Sequence, residues 1–291
     1  MSLRLQMLQV ARLAPNVLQG STELVHSFFA AQQNSDGGFK DRTGKSDLYY
    51  TVFGLEGLMA LRAQIQTEAA TGYLDNFGSG ESLDFIHLCC LARCWAALNK
   101  IAPCAGDILA GIETHRTPDG GYNVLPHSRK GTVYADFLAL GAYQDSKATL
   151  PDAAALVRHL SSLETPDGAW ANEPGLKVGS TNSTAAAILT LLQFGEAVRP
   201  EAGRWLLSHL HAQGGFMAGG NAPVPDLLTT ATTLHALAAL EIPFEPFREQ
   251  CLDFVDSLWT NEGGFHGHWS DDFLDCEYTY YGLLALGHLS L

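Results

Sequence analysis

Between residues 271 and 279 the chain reads Asp271-Asp272-Phe273-Leu274-Asp275-Cys276-Glu277-Tyr278-Thr279, its densest acidic stretch. Two chemistries suit these residue types. Asp271, Asp272 and Asp275 are spaced as DDxxD, and carboxylates suit magnesium, a hard cation that often bridges protein to phosphate oxygens. Asp226 opens a comparable segment and would be a fourth acid for such a metal. Glu277 offers the second chemistry. A carboxyl in apolar surroundings holds its proton to higher pH and can serve as a general acid. Asp275 and Tyr278 flank it and complete a candidate catalytic set. Asp226, Cys276 and either His266 or His268 are also of types that suit zinc, although their spacing does not itself bring them together. Each reading has a plainer rival. Acids at a helix start meet the helix dipole favourably, and a Glu in the first helical turn can simply face water.

The elements that must position these groups come from a repeat. The units are Asp36-Gly37-Gly38-Phe39, Asp119-Gly120-Gly121-Tyr122, Asp167-Gly168-Ala169-Trp170, Gln213-Gly214-Gly215-Phe216 and Glu262-Gly263-Gly264-Phe265. Their first residues are spaced by 83, 48, 46 and 49. The long first gap predicts one more unit, with Gly78-Ser79-Gly80 as its remnant, and hence six units in all. In each, an amphipathic helix comes first, over 21–33, 153–163, 202–211 and 247–259 in the clearest cases. The glycine pair is expected to end that helix, because glycine accepts the left-handed conformation a C-terminus often needs. A polar loop then leads to a helix of small and apolar residues, over 47–61, 82–98, 132–143, 180–193, 226–240 and 275–289. Asp, Ser or Thr stands at most of these starts, as an N-cap should.

A helix that is apolar nearly all round is buried on both sides. Six hairpins of this kind predict an all-α fold, an α6/α6 toroid with six inner and six outer helices. An open solenoid is the alternative, and it would leave an inner face in water. The expected organisation is one domain over residues 1–291, with 1–19 as an N-terminal extension and repeats from 20 to 291.

The chain has 291 residues and a net charge of −14. That charge excludes nucleic acid, whose phosphates need Lys and Arg, and argues against an anionic membrane surface. No apolar run reaches the ~18 residues of a membrane span. The six cysteines form no CxxC pair; read as reduced, they fit a cytoplasmic protein.

The stretch Gly37-Gly38-Phe39-Lys40-Asp41-Arg42-Thr43-Gly44-Lys45-Ser46-Asp47-Leu48-Tyr49-Tyr50-Thr51 resembles the repeat of protein prenyltransferase β subunits. So do Pro225-Asp226-Leu227-Leu228-Thr229-Thr230 and the closing unit. The resemblance extends to the superfamily that includes squalene and other terpene cyclases. It implies a barrel with an aromatic-lined central funnel, an isoprenoid or isoprenyl diphosphate as ligand, and a helical partner subunit. For the lining, Tyr49, Tyr50, Phe53, Trp95, Tyr134, Phe137 and Tyr281 are the candidates, with ordinary inter-helix core as the rival account.

The resemblance also implies where chemistry would sit. The family's zinc is held by an Asp, a Cys two residues later and a His from the last unit. Here those positions are Asp226, Leu228 and Tyr278, so two of three ligands are replaced. The family's diphosphate clamp of His, Arg, Lys and Tyr falls on Gly179, Gly220, Pro223 and Thr229. By repeat phase, Asp275-Cys276-Glu277-Tyr278-Thr279 occupies the place of the DxDDT motif of class II terpene cyclases, which makes Glu277 the proton donor. The leading expectation is an isoprenoid-binding, prenyltransferase-like protein. A cyclase using Glu277, and a non-catalytic binding scaffold, are the alternatives. Glu56, Asp136 and His235 fall inside apolar inner helices, where polar groups need partners.

Overall fold

The computed structural model describes residues 1–291, and the chain is helical with one short hairpin. It opens with α1 (Leu3–Ala11) and α2 (Pro15–Leu18). Twelve helices of the repeat follow. First come α3 (Thr22–Gln32) and α4 (Leu48–Ala60), which pack together, and then α5 (Thr67–Asp75) and α6 (Phe85–Ala97). Next come α7 (Ala105–Glu113) with α8 (Val133–Asp145), and α9 (Ala153–Ser162) with α10 (Thr181–Gln193). Last are α11 (Pro200–Leu207) and α12 (Leu227–Ala239), and then α13 (Arg248–Asp256) and α14 (Cys276–Leu289), which pack together. No helix is long and apolar enough to cross a membrane.

Each inner helix begins at a side-chain cap. Asp47, Asp84, Thr132, Ser180, Asp226 and Asp275 accept from backbone N–H groups of the first turn. This satisfies donors that a helix start leaves without partners.

The glycine pairs differ from the expected helix caps. Outer helix α3 ends at Gln32, well before Gly37. Gly37, Gly120, Gly168, Gly214 and Gly263 have φ of 95, 96, 84, 85 and 86°, in tight turns beyond the helix end. Each turn folds the chain back so that its aromatic forms an antiparallel bridge to the helix exit, as in Gln33 with Phe39 and Trp259 with Phe265. The turn also buries the aromatic. Phe39, Tyr122, Trp170, Phe216 and Phe265 are 0–3% exposed, each worth about 1.5–3 kcal/mol of apolar burial. The backbone N–H of each aromatic donates to an inner-helix side chain, namely Thr51, Asp136, Thr184, Thr230 and Thr279 in turn.

The chain forms two compact units. One contains Phe77–Ser208 together with Met1–Arg4, and in it α6, α8 and α10 pack side by side. The other contains Leu5–Asn76 and His209–Leu291, and in it α12, α14 and α4 pack in that order. Within this second unit the last repeat therefore meets the first. Gly263 lies so close to α3 that a Cβ there would stand 2.2 Å from the Leu24 carbonyl oxygen. The first residues also join the packing. Leu8 and Ala11 of α1 are buried, and a Cβ on Gly287 of α14 would meet the Val10 carbonyl oxygen at 2.1 Å.

Candidate functional site

The acids singled out at the closing unit sit where α12, α14 and α4 begin. Asp275 caps α14 through the Tyr278 N–H at 2.9 Å, and Asp226 caps α12 through the Thr229 N–H at 2.7 Å. Both are therefore ordinary N-caps in part, and both are substantially buried. Burial pushes the Asp275 carboxyl upward against its hydrogen bond from Tyr278 and the pull of Arg42. It does the same to Asp226 against the Thr229 hydroxyl and N–H.

Arg42 is the residue that organises the cluster, and nothing in its sequence neighbourhood marks it for that role. It stands in the loop of the hairpin formed by β1 (Phe39–Lys40) and β2 (Ser46–Asp47). Its Nε donates to Asp275 Oδ2 at 2.9 Å and its Nη2 to Asp271 Oδ2 at 3.1 Å. The guanidinium lies 5.1 Å from the Phe273 ring centre and 5.6 Å from that of Tyr278. Burial works against ionisation of Asp271, yet the Phe273 N–H and Arg42 bring it below the usual carboxylate range. Asp272, between them in sequence, is exposed. Asp271 and Asp275 are thus tied to an arginine, while Asp226 bonds to Thr229. No group of three or more His, Cys, Asp or Glu is placed to hold a metal ion. Cys276 is wholly buried, and its thiol is pushed well up by that burial.

Glu277 does not face water as the plainer reading of a first-turn Glu expects. It is 9% exposed and its Oε1 accepts from the Tyr49 hydroxyl at 2.5 Å. The phase of α14 turns it toward α4, where the Tyr49 hydroxyl meets it. Burial pushes its carboxyl up to about 7. The Tyr49 hydrogen bond and Arg42 oppose that rise, while Asp275 and Asp226 add to it.

The candidate aromatics divide between the units. Tyr49, Tyr50, Phe53 and Tyr281 gather beside Glu277. Ring centres are 5.6 Å apart for Tyr49 and Tyr50, 5.1 Å for Tyr49 and Phe53, and 5.5 Å for Phe53 and Tyr281. Tyr49, Tyr50, Tyr278 and Tyr281 are only partly covered, as are Leu228 and Thr232 on α12. On α12 the partly covered Leu228 and Thr232, and on α14 Tyr278 and Tyr281, fall one helical turn apart, while on α4 they are the neighbours Tyr49 and Tyr50. The other unit holds Trp95, Tyr134 and Phe137. Trp95 is a core residue at 4% exposure, Tyr134 is 40% exposed in the first turn of α8, and Phe137 follows one turn later, half-buried.

The polar groups found inside apolar helices are core partners. Asp136 stands in the Thr position of its repeat, accepting from the Tyr122 N–H at 2.7 Å, and its other oxygen lies 2.7 Å from His159 Nδ1. His235 Nδ1 lies 2.9 Å from His288 Nε2. Glu56 is wholly buried.

The model of the prenyltransferase alpha-alpha toroid domain matches residues 16–105 and 180–290, more than half of the chain. Solved structures share the fold at low identity. The type II terpene cyclase MstE of Scytonema, in complex with geranylgeranyl dihydroxybenzoate, superposes with a TM-score of 0.66 at 16% identity, covering 95% of this chain and 97% of that one. Protein geranylgeranyltransferase-I of Candida albicans, complexed with GGPP, gives 0.64 at 14% identity, over 83% of each chain. A D-mannose isomerase gives 0.66 at 11% identity, over 94% of this chain and 97% of that one. Among curated protein sequences, none matches this chain.

Proposed function

This chain belongs to the prenyltransferase alpha-alpha toroid domain family, and from that premise we propose that it binds an isoprenoid and acts on it through the carboxyl group of Glu277. The observation that carries the reading is the environment of that one side chain. A carboxyl pushed up to about 7 by burial is still substantially protonated near neutral pH, and it adjoins partly open aromatic side chains. A general acid needs that combination of a retained proton and contact with an apolar substrate.

In this reading Glu277 delivers its proton to an alkene carbon of the bound chain. The carbocation that forms lies against the rings of Tyr49, Phe53 and Tyr281, since aromatic rings attract cations, and loss of a proton from a carbon beside it to the Glu277 carboxylate restores both an alkene and the acid. The carboxylate left behind keeps the Tyr49 hydroxyl as a donor at 2.5 Å, a charge-assisted bond stronger than the neutral one it replaces. Arg42 holds Asp275 and stacks on Tyr278, which fixes the first turn of α14 from which Glu277 projects.

Zinc-dependent thiol transfer is disfavoured by the residues present. Leu228 has no donor atom, and the Tyr278 hydroxyl is pushed well up by burial and then by Glu277, Asp226 and Asp275, so it stays a phenol. These positions do not fit a zinc ion, which needs three or four donors. Magnesium at Asp226, Asp271, Asp272 and Asp275 would require Arg42 to release two of the four. No step here is assigned to a metal.

Native mass spectrometry of the purified protein, followed by product analysis with the isoprenoid it retains, tests the reading. Glu277→Gln should abolish product and leave the bound lipid in place. Product formation undiminished in Glu277→Gln would sink the acid role. Lipid bound by the wild type without any product would favour a binding scaffold.

A further inference from the structure

The end of the isoprenoid that reaches this site must suit the charge found there, and that charge is one-sided. Asp226, Asp271, Asp272, Asp275 and Glu277 are drawn from the starts of α12 and α14 and the loop before α14. The basic groups that act on them are Arg42 and His268; nearby, Lys40 acts on Cys276 while its Nζ donates to the Ala31 carbonyl, and His266 Nδ1 lies 3.0 Å from the Phe273 carbonyl oxygen. Arg42 already gives Nε to Asp275 and Nη2 to Asp271, with both carboxylates nearly covered at 2% and 7% side-chain exposure. His268 stands by Asp226 and acts on it by charge.

Helix N-termini are the other usual source of positive potential for an anion. Here that role is already taken, because α4, α12 and α14 are capped by their own Asp47, Asp226 and Asp275. The two phenols that border the site report the resulting field. The Tyr50 hydroxyl is pushed up to about 12 by burial and then by Asp275 and Glu277. The Tyr278 hydroxyl rises further, with Glu277, Asp226 and Asp275 adding to its burial.

A diphosphate brings several negative charges and is normally met by Arg, Lys or a metal ion free to pair with it. Resting on the reading that this chain binds an isoprenoid, we infer that the molecule it accepts ends in an uncharged group, such as a hydrocarbon, alcohol or phenol, and not in a diphosphate. An alcohol or phenol end can accept from or donate to the Tyr49, Tyr50 and Tyr278 hydroxyls, and a hydrocarbon end needs no such partner, so none of them displaces Arg42 from its two acids.

Equilibrium binding of geranylgeraniol and geranylgeranyl diphosphate to the full chain, each below its micellar concentration, tests this directly. The measurement is made with and without magnesium chloride. The alcohol should bind at least about tenfold more tightly in both conditions. A diphosphate that binds as tightly or more tightly in either condition overturns the inference while leaving isoprenoid binding intact. If neither molecule binds, the isoprenoid reading itself falls, and the inference with it.

Discussion

The Tyr49 hydroxyl and the Glu277 carboxylate, 228 residues apart in sequence, meet at 2.5 Å across α4 and α14. Because the phenol is a donor, it favours the ionised form of Glu277 and lowers its pKa. Tyr49→Phe should therefore move the Glu277 titration upward by about one pH unit, the worth of one hydrogen bond to a charged group. A carbon-13 titration of labelled glutamate side chains reads this directly. A curve that stays in place or moves downward would show that the phenol does not stabilise the carboxylate.

Arg42→Ala leaves Asp275 buried beside Asp271 with no guanidinium between them. The Arg42 side chain is 34% exposed, so solvent moderates the loss. We expect about 1–2 kcal/mol of destabilisation, between the values for exposed and buried pairs. Chemical denaturation at neutral pH measures it. A change within about 0.3 kcal/mol, typical of a surface pair, would mean that solvent already screens the contact.

The His235–His288 pair predicts a pH effect of defined sign. Burial holds His235 down to about 4, and burial with His235 as neighbour holds His288 well below its usual value. The shared bond leaves His235 Nε2 and His288 Nδ1 buried without hydrogen-bond partners. Both pKa values are depressed, so below pH 6.5 the unfolded chain binds more protons than the folded one, and stability falls with pH. Replacing both residues by Leu removes that term. Relative to the double variant, the wild type should lose up to about 1.4 kcal/mol per pH unit per histidine between about pH 6.5 and 4. Unfolding curves at several pH values give the difference. Parallel pH profiles for the two proteins would be the contrary result.

Gly263→Ala should destabilise by about 2 kcal/mol or more, combining a left-handed backbone with a clash that cannot relax cheaply. The φ is 86°, and the new Cβ would stand 2.2 Å from a backbone oxygen of α3. Gly20→Ala is the control, since nothing lies within 4 Å of a Cβ there. Thermal unfolding of the two variants should differ clearly; equal melting temperatures would remove Gly263 from the closure of the last repeat on the first.

The inner helices were legible because a small polar cap precedes a long apolar run, a signal carried by neighbours in sequence. Helix α10, for example, runs from Thr181 to Gln193 behind the Ser180 cap, close to the predicted 180–193. The glycine turns were misread because a left-handed residue serves a helix cap and a tight turn equally well. Arg42 was not legible as the partner of Asp271 and Asp275, since those residues lie 229 and 233 positions away. The orientation of Glu277 likewise depends on α4, not on its own neighbours. One further signal lies in the repeat itself. Asp136 occupies the slot held by Thr51, Thr184, Thr230 and Thr279, and a carboxylate in a buried threonine slot calls for a basic partner such as His159.

The contact between the last turn and the first outer helix also sets an order of assembly. The apolar face that α4 presents to α14 leaves the ribosome long before its partner does. A nascent chain must hold that surface uncovered while more than two hundred residues are added. Such late, distant pairings slow folding and expose a growing chain to aggregation. For this protein the arrival of α14 is therefore the step that covers this face, and a ribosome stalled before Cys276 would hold a chain whose α4 lacks that partner.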